Sequence, residues 1–453
     1  MDGGAPFPWD GGTLLAWAAW NGHEEVVRML LERNDINPDS VDKFGKTPLW
    51  RAACRGHEGI VGLLLEKNNV NPNTVNKDGQ TLLSWVVRHR QEGTVRMLLE
   101  RNDVNPDTVD KNGDTALTWA VQHRQGGIVR ILLERNDVNP NRPDNHGRTP
   151  LWQAIRENDE EIVGILLERN EANPDRVENY SQTALMWAIS CRREGFVRIL
   201  LERNDVNPDA VDKYGRTPLS WAAGFGFVGA VRRLLERNEV NPDKPDNHGR
   251  TPLSWAGRMG CEEVVRMLLE RDGVNPDTFD KYGQTPLSWT AACGHEGVVK
   301  ILLERDDVNP NTVDKDGLAP ISWAAGCGHE GAVRILLQRN NVNPNTADKD
   351  GLTPISWAAG YGHQGIVRML KERDGSSPDI LEQYGLTEPD WDVGDDHEGV
   401  VKVLLERDGV NVDTPDKYGR TPLSWASGFG TERVVRILLE RDGVNPDTPD
   451  KHG

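Results

Sequence analysis

Apolar and polar positions along this chain fall into one short phrase that returns every 34 residues. In its clearest form, Thr217-Pro218-Leu219-Ser220-Trp221-Ala222-Ala223, the residues Leu219, Ala222 and Ala223 stand at i, i+3 and i+4, one stripe of a short helix. Thr217 supplies an N-cap oxygen and Pro218 suits the first helical position. Gly226 marks the break after this helix. A second helix is predicted beyond the break. It is clearest in the next copy as Glu262–Arg271, with Val264, Val265, Met267, Leu268 and Leu269 as its buried set. Val240-Asn241-Pro242-Asp243 ends helical structure, because proline disfavours helix at the residue before it. Ahead of the phrase, Asp212-Lys213-Tyr214-Gly215-Arg216 reads as a turn in which Gly215 can take a positive φ. The unit is turn, helix, turn, helix, loop.

The tryptophan of the phrase keeps the period, at Trp17, Trp85, Trp119, Trp187, Trp221, Trp255, Trp289, Trp323, Trp357, Trp391 and Trp425. The two remaining beats, Arg51 and Gln153, each follow a displaced tryptophan, Trp50 and Trp152. Thirteen copies fit without insertion or deletion. A fixed period of this length predicts an all-α solenoid of about 13 helix-turn-helix units with hairpin-like turns, since one unit alone cannot bury both its helix faces. The tryptophan ladder is then expected to be packing within the stack. Residues 1–12, rich in Gly and Pro, read as a flexible segment, with Trp9, Trp17 and Trp20 as an improvised cap. Residues 13–453 read as a continuous array, degenerate near 382–408 and with a truncated fourteenth copy from 450.

Asp280–Leu303 follows D-x-x-G-x-T-P-L-x-x-A-x-x-x-G-H and then V-V-x-x-L-L almost letter for letter, and so resembles the ankyrin repeat. The tetratricopeptide repeat shares the period, but its Trp-Leu-Gly-Tyr pattern is absent. The extra residue over the usual ankyrin length falls in loops such as Asp272-Gly273-Val274-Asn275-Pro276-Asp277, a variant similar to long arrays of filamentous fungi. Those arrays often follow NACHT-type nucleotide-binding domains. No such module is legible here: Gly45-Lys46-Thr47 resembles the end of a phosphate loop, but Ser40 stands where its first glycine belongs. The resemblance covers residues 13–453. It implies a scaffold that recognises a macromolecular partner, a protein, along its concave face.

Charge narrows the partner class. A net charge of -18 argues against nucleic acid and anionic membrane, which need a basic surface. No apolar run approaches a spanning length, and the amino-terminal stretch lacks the pattern of a secretory signal. Five scattered cysteines fit a reducing compartment, cytoplasm or nucleus by default. Cys293 and Cys327, one repeat apart, should lie about 10 Å from each other, beyond the ~7 Å reach of a disulfide. The His-Glu pairs at His23, His57, His295, His329 and His397 lack the second histidine of a zinc-protease helix. No catalytic set, metal site or cofactor is expected.

Departures from the consensus carry the candidate site. Copies three to six lose the Gly-His that separates the two helices and carry Arg88, His89, His123, Arg124, Arg156 and Arg192 instead. Such cations either complement helix C-termini, at ~0.3–1 kcal/mol each, or form a docking strip for an acidic partner. In copies seven to eleven the end of the first helix carries Phe225, Met259, Cys293, Cys327 and Tyr361, with Phe429 two copies further. Turn-tip residues Tyr214, His248, Tyr282 and Tyr418 join them. This stripe is either an interface or padding between repeats. Arg203 and Arg237 read as back-face charges. In copy twelve, Pro389, Asp390 and Asp392 should weaken the first helix. The competing reading is a spacer that associates weakly with itself by pairing its basic and acidic ends.

Overall fold

The computed structural model describes residues 12–169, 172–176, 182–374, 397–405, 420–428, 430–441 and 444–447. Among these residues there are 25 helices and no strand, only an isolated bridge between Val75 and Thr81. The chain forms two compact units, Met1–Lys213 and Tyr214–Gly453. In the first, paired helices run from Leu14–Asn21 and Glu24–Leu31 to Ala184–Ser190 and Glu194–Leu201. In the second they run from Pro218–Gly224 and Val228–Leu235 to Pro422–Gly428 and Glu432–Leu439. Within each unit, first helices pack on the neighbouring first helices and second helices on second. The expected first helix of copy twelve, residues 1–11, Tyr418, Phe429 and the start of a fourteenth copy lie outside the described residues.

Local chemistry sets each helix as the phrase implies. Ser220 N donates to Thr217 Oγ1 at 3.1 Å, Pro218 occupies the first turn, and Leu219, Ala222 and Ala223 are fully buried. Gly215 and Gly226 both take positive φ, 77° and 61°. The second helix of copy eight is shorter than its pattern, Glu262–Leu269, with Glu270 as its cap. Val264, Val265 and Leu268 are buried, whereas Met267 and Leu269 are half-buried at the margins of the packed stripe.

Two ladders tie successive repeats together. In the loops, Asn71 N donates to Asp39, Asn105 N to Asn73 and Asn309 N to Asp277, at 2.9, 2.8 and 2.7 Å. Behind the second helices, Arg135 donates to the carbonyls of Leu99, Arg101 and Val104 at 3.1, 2.8 and 3.3 Å, and its Nε to Asp137 at 2.8 Å. Arg203 makes the same bond to the Leu167 carbonyl and pairs with Asp205 at 2.7 Å. Arg237 pairs with Glu239 at 3.0 Å and is 20% exposed. Arg135 and Arg203 are joints rather than idle surface charges, because their guanidinium groups satisfy carbonyls at and just beyond a helix C-terminus of the preceding repeat.

The tryptophan ladder departs from simple core packing. Trp85, Trp119, Trp221, Trp255, Trp289, Trp323 and Trp357 are only half-buried. The two displaced tryptophans, Trp50 and Trp152, are the ones buried in the core. Trp20 in the first copy lies under Arg51 and Arg55, at 5.0 and 4.1 Å from the ring centroid.

Candidate functional site

The turn aspartate organises the face made by the turns and the first helices. Asp280 Oδ1 accepts the backbone N–H groups of Tyr282 and Gln284, at 2.8 and 3.0 Å, and the same arrangement holds at Asp42, Asp144, Asp246, Asp314 and Asp348. Its second oxygen is left for side-chain donors, which differ from copy to copy; at Asp42 it pairs with Arg51. Where the residue after the turn glycine is Arg148 or Arg250, the guanidinium takes that oxygen, at 2.6 and 3.2 Å. Where it is Gln284, Leu318 or Leu352, the indole N–H of Trp289, Trp323 or Trp357 takes it, at 3.2, 2.9 and 2.8 Å. Copy four places Asp114 there. Burial, reinforced by Asp110 and Asp144, raises that carboxyl to about 6.

Arginines also cover the exposed indole faces. Arg216 lies 4.0 Å from the Trp221 centroid, Arg250 4.3 Å from Trp255, and Arg258 4.9 Å from Trp289. In the first unit Arg88 covers Trp119 at the same 4.9 Å. Only the positions of the tryptophans, not this pairing, could be read from the chain.

The candidate basic residues of copies three to six lie at the ends of their first helices, and each has a partner. His89 stacks on Trp85 at 3.8 Å and its Nδ1 lies 2.8 Å from the Trp85 carbonyl. His123 lies tilted against Trp119, with ring centroids 5.2 Å apart, and its Nδ1 is 3.0 Å from the Trp119 carbonyl. Arg156 pairs with Glu157 at 2.7 Å and covers Trp152. Arg124 donates to the Glu157 carbonyl of the next repeat, and Arg192 is engaged as well.

Arg90, Arg124, Asn158 and Arg192 all take positive φ, 54° to 59°, at the place other copies give to glycine. The reason lies in the following repeat. A Cβ on Gly22, Gly260, Gly294 or Gly328 would meet the ring of His57, His295, His329 or His363 at 2.5–2.7 Å. Those histidines reach back to carbonyls of the preceding first helix at 2.9–3.1 Å. Where Gln91 replaces the histidine, its amide still bonds the Ala53 carbonyl at 2.8 Å and the space above Gly56 is empty. The Gly-His motif therefore acts between repeats, and losing the histidine admits a side chain at the glycine before it. A spacing of 35 residues was the available signal.

In the second unit, Phe225, Met259 and Tyr361 are exposed, as are the tips Tyr214 and Tyr282; His248 is half-buried. Phe225 and Tyr361 each lie against the tryptophan one turn back, at 5.5 and 6.0 Å. Cys327 is exposed and Cys293 half-buried; both thiols are free, and burial pushes both upward in pKa.

The family pattern described as "Ankyrin repeats (3 copies)" matches residues 3–76, 68–144, 98–177, 127–212, 200–280, 249–314 and 306–382, and "Ankyrin repeats (many copies)" matches 393–450. The chain belongs to the ankyrin-repeat family. Among solved structures, 546 chains match. One is the ankyrin repeat domain of Bcl-3, described as a unique member of the IkappaB protein family. It has 26% identity and a TM-score of 0.46, and the match covers 50% of this chain and 100% of that one. No curated protein matches. Ankyrin repeats are generally protein-interaction modules, and the fold is typically a non-catalytic scaffold. Among the described residues, no group of three or more His, Cys, Asp or Glu could hold a metal ion, and no helix is long and apolar enough to cross a membrane.

Proposed function

We propose that this ankyrin-repeat chain is a non-catalytic recognition scaffold that holds a protein partner across the concave face made by its turns and first helices. The observation that carries this is the register of exposed side chains: Phe225, Met259 and Tyr361 recur at one repeat position, with Tyr214 and Tyr282 at the tips beside them. Aligned aromatic and sulfur-bearing side chains exposed on a rigid frame favour an interface, because such residues dominate binding hot spots. The strip of Arg88, His89, His123, Arg124, Arg156 and Arg192 is the second contact region on this reading. A reducing compartment, cytoplasm or nucleus, suits the five scattered cysteines.

The test is affinity capture with quantitative mass spectrometry, comparing three forms of the full chain. The first is unaltered. The second carries Phe225→Ser, Met259→Ser and Tyr361→Ser. The third carries Arg96→Glu and Arg130→Glu, two second-helix charges whose side chains are about half exposed. Partners retained by the third form and lost from the second are the expected result. Equal retention by all three, or equal loss from both variants, overturns the reading.

A further inference from the structure

Copies ten and eleven break a rule that copies seven to nine obey. In those three copies an arginine of the chain itself covers each indole. Among the described residues, no arginine or lysine lies over Trp323 or Trp357. Two changes of residue cause this. Leu318 and Leu352 stand where Arg216 and Arg250 stand, and Ala292 and Gly326, one repeat before each indole, stand where Arg258 stands before Trp289.

The same leucines leave the turn aspartates without a counter-charge. Asp314 and Asp348 accept the N–H groups of Trp323 and Trp357 and form no salt bridge among the described residues, whereas Asp246 pairs with Arg250. The exposed tips Asp316 and Asp350 add further negative charge beside the exposed Lys315 and Lys349, and the carboxylates of Asp314 and Asp348 sit at the N–H edges of the rings. With its N–H spent on a carboxylate, each tryptophan presents only its electron-rich face to a ligand. A half-exposed indole with a carboxylate at its N–H edge, and no cation over its face among the described residues, is a seat for a cation.

We propose that copies ten and eleven bind a basic segment of the protein partner, one arginine or lysine side chain over Trp323 and a second over Trp357. This rests on the reading above that the face binds protein. Neighbouring first helices stack about 8–10 Å apart, which an extended chain spans in about three residues, so the two cations stand at i and i+3. The chain's net charge of -18 steers such a segment toward it. Tyr361, stacked on Trp357, extends the aromatic platform.

The decisive variant supplies the missing cations from within. Leu318→Arg with Leu352→Arg recreates the arrangement that Arg250 already adopts beside Asp246 and Trp255, so the fold tolerates it. The probe is a fluorescein-labelled Gly-Arg-Gly-Gly-Arg-Gly peptide, read by anisotropy on the full chain, with the Gly-Glu-Gly-Gly-Glu-Gly peptide beside it. The arginine peptide should bind the unaltered chain. It should bind Leu318→Arg/Leu352→Arg at least about tenfold more weakly, with no fall in thermal midpoint. Trp323→Leu with Trp357→Leu should weaken it similarly, and the glutamate peptide should not bind. No binding of the arginine peptide, equal binding by the leucine-to-arginine variant, or equal binding of the glutamate peptide overturns the proposal. Panning a displayed random-peptide library on the same chains separates the two levels. Enriched peptides without paired cations, insensitive to Leu318→Arg/Leu352→Arg, overturn the basic partner and leave protein recognition standing. No enrichment of any peptide overturns both.

Discussion

Gly294 and His329, 35 residues apart in sequence, should behave as one energetic unit. A Cβ placed on Gly294 would lie 2.5 Å from Nδ1 of His329, closer than real side chains come, and the backbone there has φ +72°. Gly294→Ala therefore carries two separable costs. Holding alanine in the left-handed region costs about 1–2 kcal/mol. Overpacking against the imidazole adds about 1–3 kcal/mol. His329→Gln removes the ring while allowing an amide to reach back to the preceding helix, as Gln91 does to Ala53. In the double variant only the backbone cost should remain, which gives a coupling of about 1–3 kcal/mol. Gly56→Ala is the internal control: φ is +73°, nothing lies within 4 Å, and the expected cost is the backbone share alone. The assay is urea denaturation followed by circular dichroism. Hydrogen exchange on helices Pro286–Cys293 and Glu330–Leu337 accompanies it, because repeat arrays need not unfold in one step. A coupling below about 0.5 kcal/mol would refute the idea that this motif works between repeats. So would Gly294→Ala costing no more than Gly56→Ala.

Two other perturbations follow from the same packing. Arg135→Ala removes a guanidinium that bonds three carbonyls of the preceding repeat and should cost about 2–3 kcal/mol. Arg96→Ala breaks an exposed pair with Glu92 and should cost under about 0.5 kcal/mol, so equal shifts in urea midpoint would contradict the clamp. Asp114, raised to about 6 in the folded chain, binds its proton more tightly folded than unfolded. Stability should rise as pH falls from about 6 toward 4, by up to about 2 kcal/mol, and this gain is absent above that window. Asp114→Asn should flatten that part of the profile and stabilise the chain at pH 8, and thermal midpoints from pH 4 to 8 check it. Burial raises Asp39, Asp107, Asp175, Asp243 and Asp277 as well, so a slope in the same direction should persist in the variant.

The repeat period, the helix pairs, the threonine caps and the positive-φ glycines were legible in the chain itself. Each depends on residues within about one helical turn of one another, as Thr217 does with Ser220. The candidate basic strip and aromatic stripe were legible as recurring positions, because a fixed period places equivalent residues side by side. What those residues touch was decided by the tertiary structure. Arg203 looked like an idle surface charge and proved to be a joint, since the Leu167 carbonyl it satisfies belongs to the preceding repeat. The tryptophans on the beat looked like core and proved half-buried, with Trp323 giving its N–H to an aspartate and Trp255 its face to an arginine, while Trp289 does both. Sequence fixes which residues recur every 34 positions. Only stacking brings position 294 against 329, or leaves Trp323 and Trp357 without a cation of their own among the described residues, because those distances exist only once one repeat lies on the next.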